Sequence, residues 1–284
     1  MTTRRRVARR PKWRGAARNF SLRRKIALLA ALAVGLSAAG VAAYLLVGSS
    51  EPSGPPRAAI VDQLSLTFPN QAFVEEATRT LEQAGYVVDY YPGEQVTVDF
   101  YRDLPTRDYD MLVVRAHSAQ AIDNEIAVDE FLFSSEPYSK TKYLDEQRDR
   151  RLTVAYALET DARSLGRAEL QEAIKKAPKY FGVASGFIES STRGDFEDAT
   201  VVLMGCDVLS LKRLAGAFVG KGADAVVGWD NSVSAGHTDA ATTRFLRHLV
   251  TDGRTVDEAV AQTMDEVGPD PVYGAKLLLY APES

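Results

Sequence analysis

Two residues whose side chains can perform acid–base and nucleophilic chemistry follow directly after short apolar segments. His117, one of three histidines, comes after DMLVVRA, and Cys206, the sole cysteine, comes after ATVVLMG. Both segments are typical of buried β-strands. A thiol with an ordinary pKa of about 8.5 is weakly ionised at neutral pH, and a neighbouring imidazole can take its proton to make it a nucleophile. If the two strands are neighbours in a sheet, this pair predicts cysteine nucleophilic catalysis.

Other residues near these strand ends are candidates for stabilising an oxyanion or for lining a pocket. Backbone N–H groups beside Cys206 and Ser118 could bind a developing oxyanion, which makes Gly205 and Asp207 candidates as well. The acid of Asp207, however, opposes formation of a thiolate. Further candidates for the pocket are Trp229 and Asp230, which end another apolar segment. Acidic groups there would favour a basic side chain in the substrate.

His237 is an alternative base. It follows the loop DNSVSAG, and Asp239 lies two positions beyond it. Cys206, His237 and Asp239 would form a triad like that of glutamine amidotransferases, which makes a thiol amidohydrolase an alternative function. The simpler interpretation is that Thr238 or Asp239 caps the next helix and His237 is only its neighbour.

The elements that must position these residues are an alternation of strands and helices from Ala58 onward. This pattern predicts an α/β domain in which helices cover both faces of a mostly parallel sheet. Strands are predicted at 58–64, 86–91, 110–117, 201–204, 225–229 and 276–280. Helices are predicted at 70–84, 211–220, 239–250 and 256–267, and 96–104 suits either element. An insertion at 119–198 should contain a strand near 152–158, a helix near 167–177 and a strand at 180–185.

The amino-terminal residues have a composition unlike the rest. Residues 1–25 carry eleven Lys or Arg and no acid, residues 26–47 carry no charge, and 48–57 are rich in Gly, Ser and Pro. Twenty-two residues of helix span roughly 33 Å, enough to cross a hydrocarbon core of about 30 Å. We therefore predict a basic cytoplasmic tail, a single transmembrane helix, a linker, and a domain at 58–284 outside the cytoplasm. A cleaved signal peptide is the alternative.

Composition and missing motifs exclude several function classes. One cysteine cannot form an intrachain disulfide. The sequence has no GxSxG, Walker, CxxC or HExxH motif, so neither a metal nor a cofactor is predicted. The domain is acidic, which argues against nucleic acid as a partner. The expected partners are a peptide or protein substrate, the bilayer around residues 26–47, and anionic lipid at the basic tail.

The order of these segments resembles the caspase-like cysteine peptidases, which include metacaspases, gingipains, separases and CHAT peptidases. In that group one apolar strand ends in His and a later one in Cys. VVLMGCDVLSLKRLAGAFVGKGADAVVGW is similar to the CHAT pattern of cysteine, helix, turn and strand, and HTDAATTRFLRHLVTDGRTVDEAVAQT to its closing helices. The resemblance implies a caspase-like three-layer sandwich with His117 as base and Cys206 as nucleophile. Ser118 replaces the glycine that most members have. A non-catalytic domain of this fold that binds a peptide or partner protein is a further alternative.

Overall fold

The fold is α/β, with a mixed, mostly parallel sheet. The computed structural model describes residues 54–158 and 164–282. The strands in these residues are β1 (Arg57–Asp62), β2 (Val87–Pro92), β3 (Met111–Arg115), β4 (Ser118–Asp123), β5 (Ile126–Pro137), β6 (Leu152–Tyr156), β7 (Lys179–Ala184), β8 (Thr200–Leu203), β9 (Ala225–Trp229) and β10 (Leu277–Tyr280). Six of them form one sheet in the order β2-β1-β3-β8-β9-β10, and β10 alone is antiparallel to its neighbour.

Helices cover both faces of this sheet. The α-helices of the described residues are α1 (Gln71–Gln83), α2 (Val98–Asp103), α3 (Leu144–Arg148), α4 (Arg167–Lys176), α5 (Ser185–Ser191), α6 (Arg213–Gly220), α7 (Ala235–Leu246) and α8 (Val256–Val267). Alternate residues of a strand point to opposite faces. Ile60 and Val113 accordingly share a core with α1, α7 and α8. Val61 and Val114 share a second core with α2, α5 and α6 on the other face.

The predicted insertion contains more regular structure than its sequence indicates. β6, α4 and β7 lie close to the elements predicted there, but β4 and β5 were not predicted. β4, β5, β7 and β6 form a separate antiparallel sheet in that order. Phe131 of β5 pairs with Ala184 of β7, far along the chain. Such non-local pairing leaves no periodic signal in either segment alone.

Two predicted helices have different starts in the structure. α6 begins at Arg213 rather than at position 211. The segment at 96–104, which the sequence left open between helix and strand, contains helix α2. α7 begins at Ala235, four residues before the predicted start, so His237 lies in its first turn. Ser234, directly before α7, has extended backbone, which marks the end of the loop there.

The connections of the chain form a crevice at the carboxyl ends of β1 and β3. The chain leaves β1 toward α1 on one face of the sheet, whereas the segment after β3 leads to the small sheet. Leu132 and Val183 of that sheet pack into the core on the opposite face. In doubly wound sheets ligands bind where neighbouring strands diverge in this way. His117 follows β3 and therefore lies at this crevice.

None of the helices in residues 54–158 and 164–282 is both long and apolar enough to cross a bilayer. The predicted basic tail (1–25) and transmembrane segment (26–47), and most of the predicted linker (48–57), lie outside the described residues.

Candidate functional site

A cavity of about 300 Å³ opens at the carboxyl edge of the large sheet, and both His117 and Cys206 line it. β3 and β8 are hydrogen-bonded neighbours, with Val114 opposite Leu203. The Met204 N–H donates to the Val114 carbonyl at 2.9 Å, which extends the pairing to the start of the turn that carries Cys206. The sequence-based expectation that β3 and β8 deliver these two residues to one edge is therefore met.

His117 is held on several sides by the crevice. Its ring packs edge-on against Phe68, with centroids 5.9 Å apart, and tilts against Phe133 at 5.6 Å. Its Nε2 is hydrogen-bonded to Thr67 Oγ1 at 3.0 Å, and its backbone N–H donates to Gln63 Oε1 at 3.0 Å. Burial among these groups, reinforced by the positive charge of Arg115, lowers the pKa of His117 to about 4. The imidazole is therefore neutral at pH 7 and able to accept a proton.

The thiol of Cys206 contacts the backbone of the loop after β9. The Val233 N–H donates to Sγ at 3.4 Å, and the thiol lies 3.6 Å from the Val233 carbonyl oxygen, to which it donates. The loop after β9 thus supplies a backbone contact that the residue types alone do not indicate.

Gly205 allows the turns after β3 and β8 to approach closely. A Cβ at this position would lie 2.8 Å from the Ala116 carbonyl oxygen and closer still to Ser118 Oγ. The Ser118 hydroxyl donates to the Cys206 carbonyl oxygen at 2.5 Å and so joins the two turns. Ser118 lies opposite Leu132 in the β4–β5 pair. The neighbouring pair is hydrogen-bonded, because the Phe133 N–H donates to the His117 carbonyl. Hydrogen-bonded and non-hydrogen-bonded pairs alternate along antiparallel strands, so the Ser118 N–H points away from β5.

The remaining pocket candidates do not line the cavity. The Asp207 carboxylate accepts a hydrogen bond from Ser232 Oγ at 3.1 Å and is buried. Trp229 is fully buried in the core. Asp230 Oδ1 accepts the Lys276 N–H at 2.8 Å and so joins β9 to β10. Within the described residues no acidic side chain borders the cavity. The structure therefore gives no support to the expectation that the substrate carries a basic side chain there.

The structure does not assemble the alternative triad. His237 Nε2 donates to the Gly268 carbonyl at 3.2 Å, and its ring packs on Trp229 at 5.4 Å. Asp239 instead accepts two hydrogen bonds from Arg115, at 2.7 and 2.9 Å. Residues two apart on a helix point to different sides, and the early start of α7 places both His237 and Asp239 on that helix. The proposed role of Asp239 as partner of His237 is therefore wrong.

A buried arginine lies beneath the site and was not singled out from the sequence. Arg115 is 1 % exposed, and it donates to Asp62 at 2.8 Å as well as to Asp239. It also donates to the Phe68 carbonyl at 2.8 Å. These contacts connect β3 with the ends of β1 and α7. The network fixes the backbone two residues before His117.

The segment after β1 is the other part of the site that sequence reasoning missed. Leu64 and Phe68 line the cavity, and Gln63 and Thr67 hold His117. The sequence does contain an indication of this role, because the segment follows a buried parallel strand and sites in α/β sheets form at the carboxyl ends of such strands. Tyr273, from the loop between α8 and β10, also lines the cavity, and its place depends on packing far along the chain.

Among the residues that the structure describes, no group of three or more His, Cys, Asp or Glu side chains is arranged to hold a metal ion. Comparison of the chain with protein-family models gave no match. A search of curated proteins gave no match either.

Proposed function

We propose that this chain is a cysteine peptidase-like hydrolase in which Cys206 is the nucleophile and His117 the general base and acid. One observation carries the proposal: both side chains line a single cavity at the carboxyl edge of two hydrogen-bonded parallel strands, next to the crevice of the sheet. The lowered pKa of His117 adds secondary support, since groups with perturbed pKa values are frequent at functional sites.

The reaction proceeds through a thioester. Neutral His117 takes the thiol proton as sulphur attacks the substrate carbonyl, and a tetrahedral oxyanion forms. The Ser118 N–H, which points away from β5, is the candidate donor to that oxyanion. The imidazolium then gives its proton to the leaving amine, the C–N bond breaks, and the acyl group stays on Cys206. Water, deprotonated by His117, hydrolyses the thioester and restores the thiol.

The order of the strands supports the caspase-like part of the proposal. His117 follows β3, Cys206 follows the adjacent β8, and helices cover both faces of the sheet. This matches the arrangement that the sequence resemblance implies. A three-layer caspase-like sandwich that carries a dyad is the fold we propose.

The activity is tested with a mixed library of quenched fluorescent peptides and the full-length protein. Cys206→Ala should abolish cleavage, and His117→Gln should slow it by roughly 10²- to 10⁴-fold. His237→Gln is the matched control and should leave the rate unchanged. Because the pKa of His117 is about 4, the rate should vary little between about pH 5 and pH 7. A loss of activity in His237→Gln, with none in His117→Gln, would refute the proposed dyad.

The location of the domain is also part of the proposal. The basic tail and uncharged segment of residues 1–47 support a single-pass anchor with a cytoplasmic amino terminus and the catalytic domain outside the cytoplasm. Protease added to intact cells should then digest the domain, whereas a tag at the amino terminus should survive. Digestion of the tag alone would reverse the orientation, and release of the domain into the medium would favour a cleaved signal peptide.

A further inference from the structure

The cavity beside Cys206 is walled by apolar side chains. Leu64 and Phe68 come from the segment after β1, Met204 from the position directly after β8, and Val233 from the loop after β9. Neither an acidic side chain nor a Lys or Arg is among the lining residues that the structure describes. A charged ligand group would therefore lose its hydration in this cavity and gain no opposite charge.

The hydroxyl groups of Thr238 and Ser234 at the cavity already have partners. Thr238 Oγ1 donates to the Met204 carbonyl at 3.1 Å and accepts the Trp229 indole N–H at 2.9 Å. Ser234 Oγ donates to Asp270, which also accepts the Ser234 N–H at 3.0 Å. Burial opposes ionisation of Asp270. The hydrogen bonds from Ser234, and from the N–H groups of the loop that follows Asp270, nevertheless hold the pKa of Asp270 below its ordinary value. These polar groups stabilise the wall of the cavity rather than offer hydrogen bonds to a ligand.

The volume limits what can enter. Sites for whole small molecules occupy about 300–1,000 Å³, and this cavity, at about 300 Å³, lies at the lower bound. It is large enough for one substantial side chain. Because Cys206 lines it, a residue whose side chain enters the cavity can place its own carbonyl near Sγ.

We propose that this cavity holds the apolar side chain, such as Leu, Met or Phe, of the residue whose carbonyl Cys206 attacks; this specificity rests on the function proposed above. The site therefore selects an uncharged, medium-sized to large side chain, and it rejects Arg, Lys, Asp and Glu.

The test measures alkylation of Cys206 in the full-length protein by N-acetyl aminoacyl chloromethyl ketones. The sulphur forms a bond to the methylene carbon, chloride leaves, and the thiol proton passes to His117 and then to water. Leu, Phe, Ala, Arg and Asp reagents are compared by intact mass, and each rate is divided by that of the same reagent with free cysteine. We expect the Leu and Phe reagents to react at least about tenfold faster than the Arg and Asp reagents. Cys206→Ala should not be labelled.

A carboxylate placed in the cavity should reverse this preference. Ala235 lines the cavity and is the first residue of α7, where the helix dipole favours an acid. Ala235→Asp should therefore fold, accelerate the Arg reagent and slow the Leu reagent. Ala240→Asp, on an exposed position of the same helix, is the matched control and should leave the order of rates unchanged.

The outcomes separate this specificity from the proposed function. Faster labelling by the Arg or Asp reagent, or equal rates for all five, would overturn the apolar pocket. The dyad would still stand if His117→Gln slowed every reagent. Rates that are equal for all reagents and unchanged in His117→Gln would overturn the proposed function as well.

Discussion

Removal of the Asp239 carboxylate should strongly destabilise the fold, because this group neutralises Arg115. The carboxylate accepts from Arg115 at 2.7 and 2.9 Å and from Asn70 Nδ2 at 2.8 Å. The side chains of Arg115 and Asp239 are 1 % and 6 % exposed. Loss of one partner of a buried ion pair costs about 3–5 kcal/mol. Since Arg115 retains Asp62 and the Phe68 carbonyl, we expect Asp239→Ala to cost about 3–4 kcal/mol.

This cost is measured by urea denaturation of the full-length protein, followed by circular dichroism, in non-ionic detergent because residues 26–47 are predicted to span a membrane. With a slope of about 3 kcal/mol/M, the midpoint should fall by roughly 1 M. Asp145→Ala is the matched control, since Asp145 pairs with Arg148 at 2.8 Å while both side chains are more than 70 % exposed. It should change stability by at most about 0.5 kcal/mol. Equal effects of the two substitutions would refute a buried network.

Three other predictions test the site's surroundings. Gly205→Ala forces a Cβ against the Ala116 carbonyl. It should lower the free energy of unfolding by about 1–3 kcal/mol and slow alkylation of the Cys206 thiol. Gly236→Ala, with open space around the new Cβ, should do neither. Glu130 is fully buried and accepts three N–H groups at the start of α6. Glu130→Ala should lower the free energy of unfolding by at least about 2 kcal/mol, and a smaller loss measured by calorimetry would contradict this. The His117 ring resonance, identified by its loss in His117→Gln, should titrate in NMR near pH 4 rather than about 6.5. Because the folded protein then binds fewer protons than the unfolded chain between these values, stability should rise with pH across this window, and less steeply in His117→Gln.

The parts of the site that follow a local rule could be predicted from the sequence. His117 and Cys206 each end an apolar strand, and parallel strands bring their carboxyl ends to one edge. Arg115 could not be anticipated in the same way. It ends an apolar segment, where a charged residue is usually solvated, and its burial depends on Asp62 and Asp239, which are 53 and 124 positions away.

The structure fails to assemble the alternative triad at His237 for a local reason. The spacing of His237 and Asp239 suits a dyad only if the segment is a loop, because a helix separates residues two positions apart. Helix α7 begins at Ala235, and the segment contains several Ser and Thr residues that suit the start of a helix equally well. Trp229 was misplaced for a related reason. An aromatic residue at a strand end can face a pocket or the core. Trp229 faces the core because α7 packs against β9, where the Trp229 indole N–H donates to Thr238 Oγ1.

The buried Arg115 helps to keep His117 neutral. Arg115 lies two residues before His117, and its charge joins burial in lowering the pKa of that imidazole. At rest the histidine therefore gives no positive charge to stabilise a thiolate. In the dyad that we propose, proton transfer would then accompany attack on the substrate carbonyl. Thiolates are the forms of cysteine that oxidants attack most readily. If the domain lies outside the cytoplasm, as we propose, a base that acts only when substrate arrives would protect the sole cysteine until it is used.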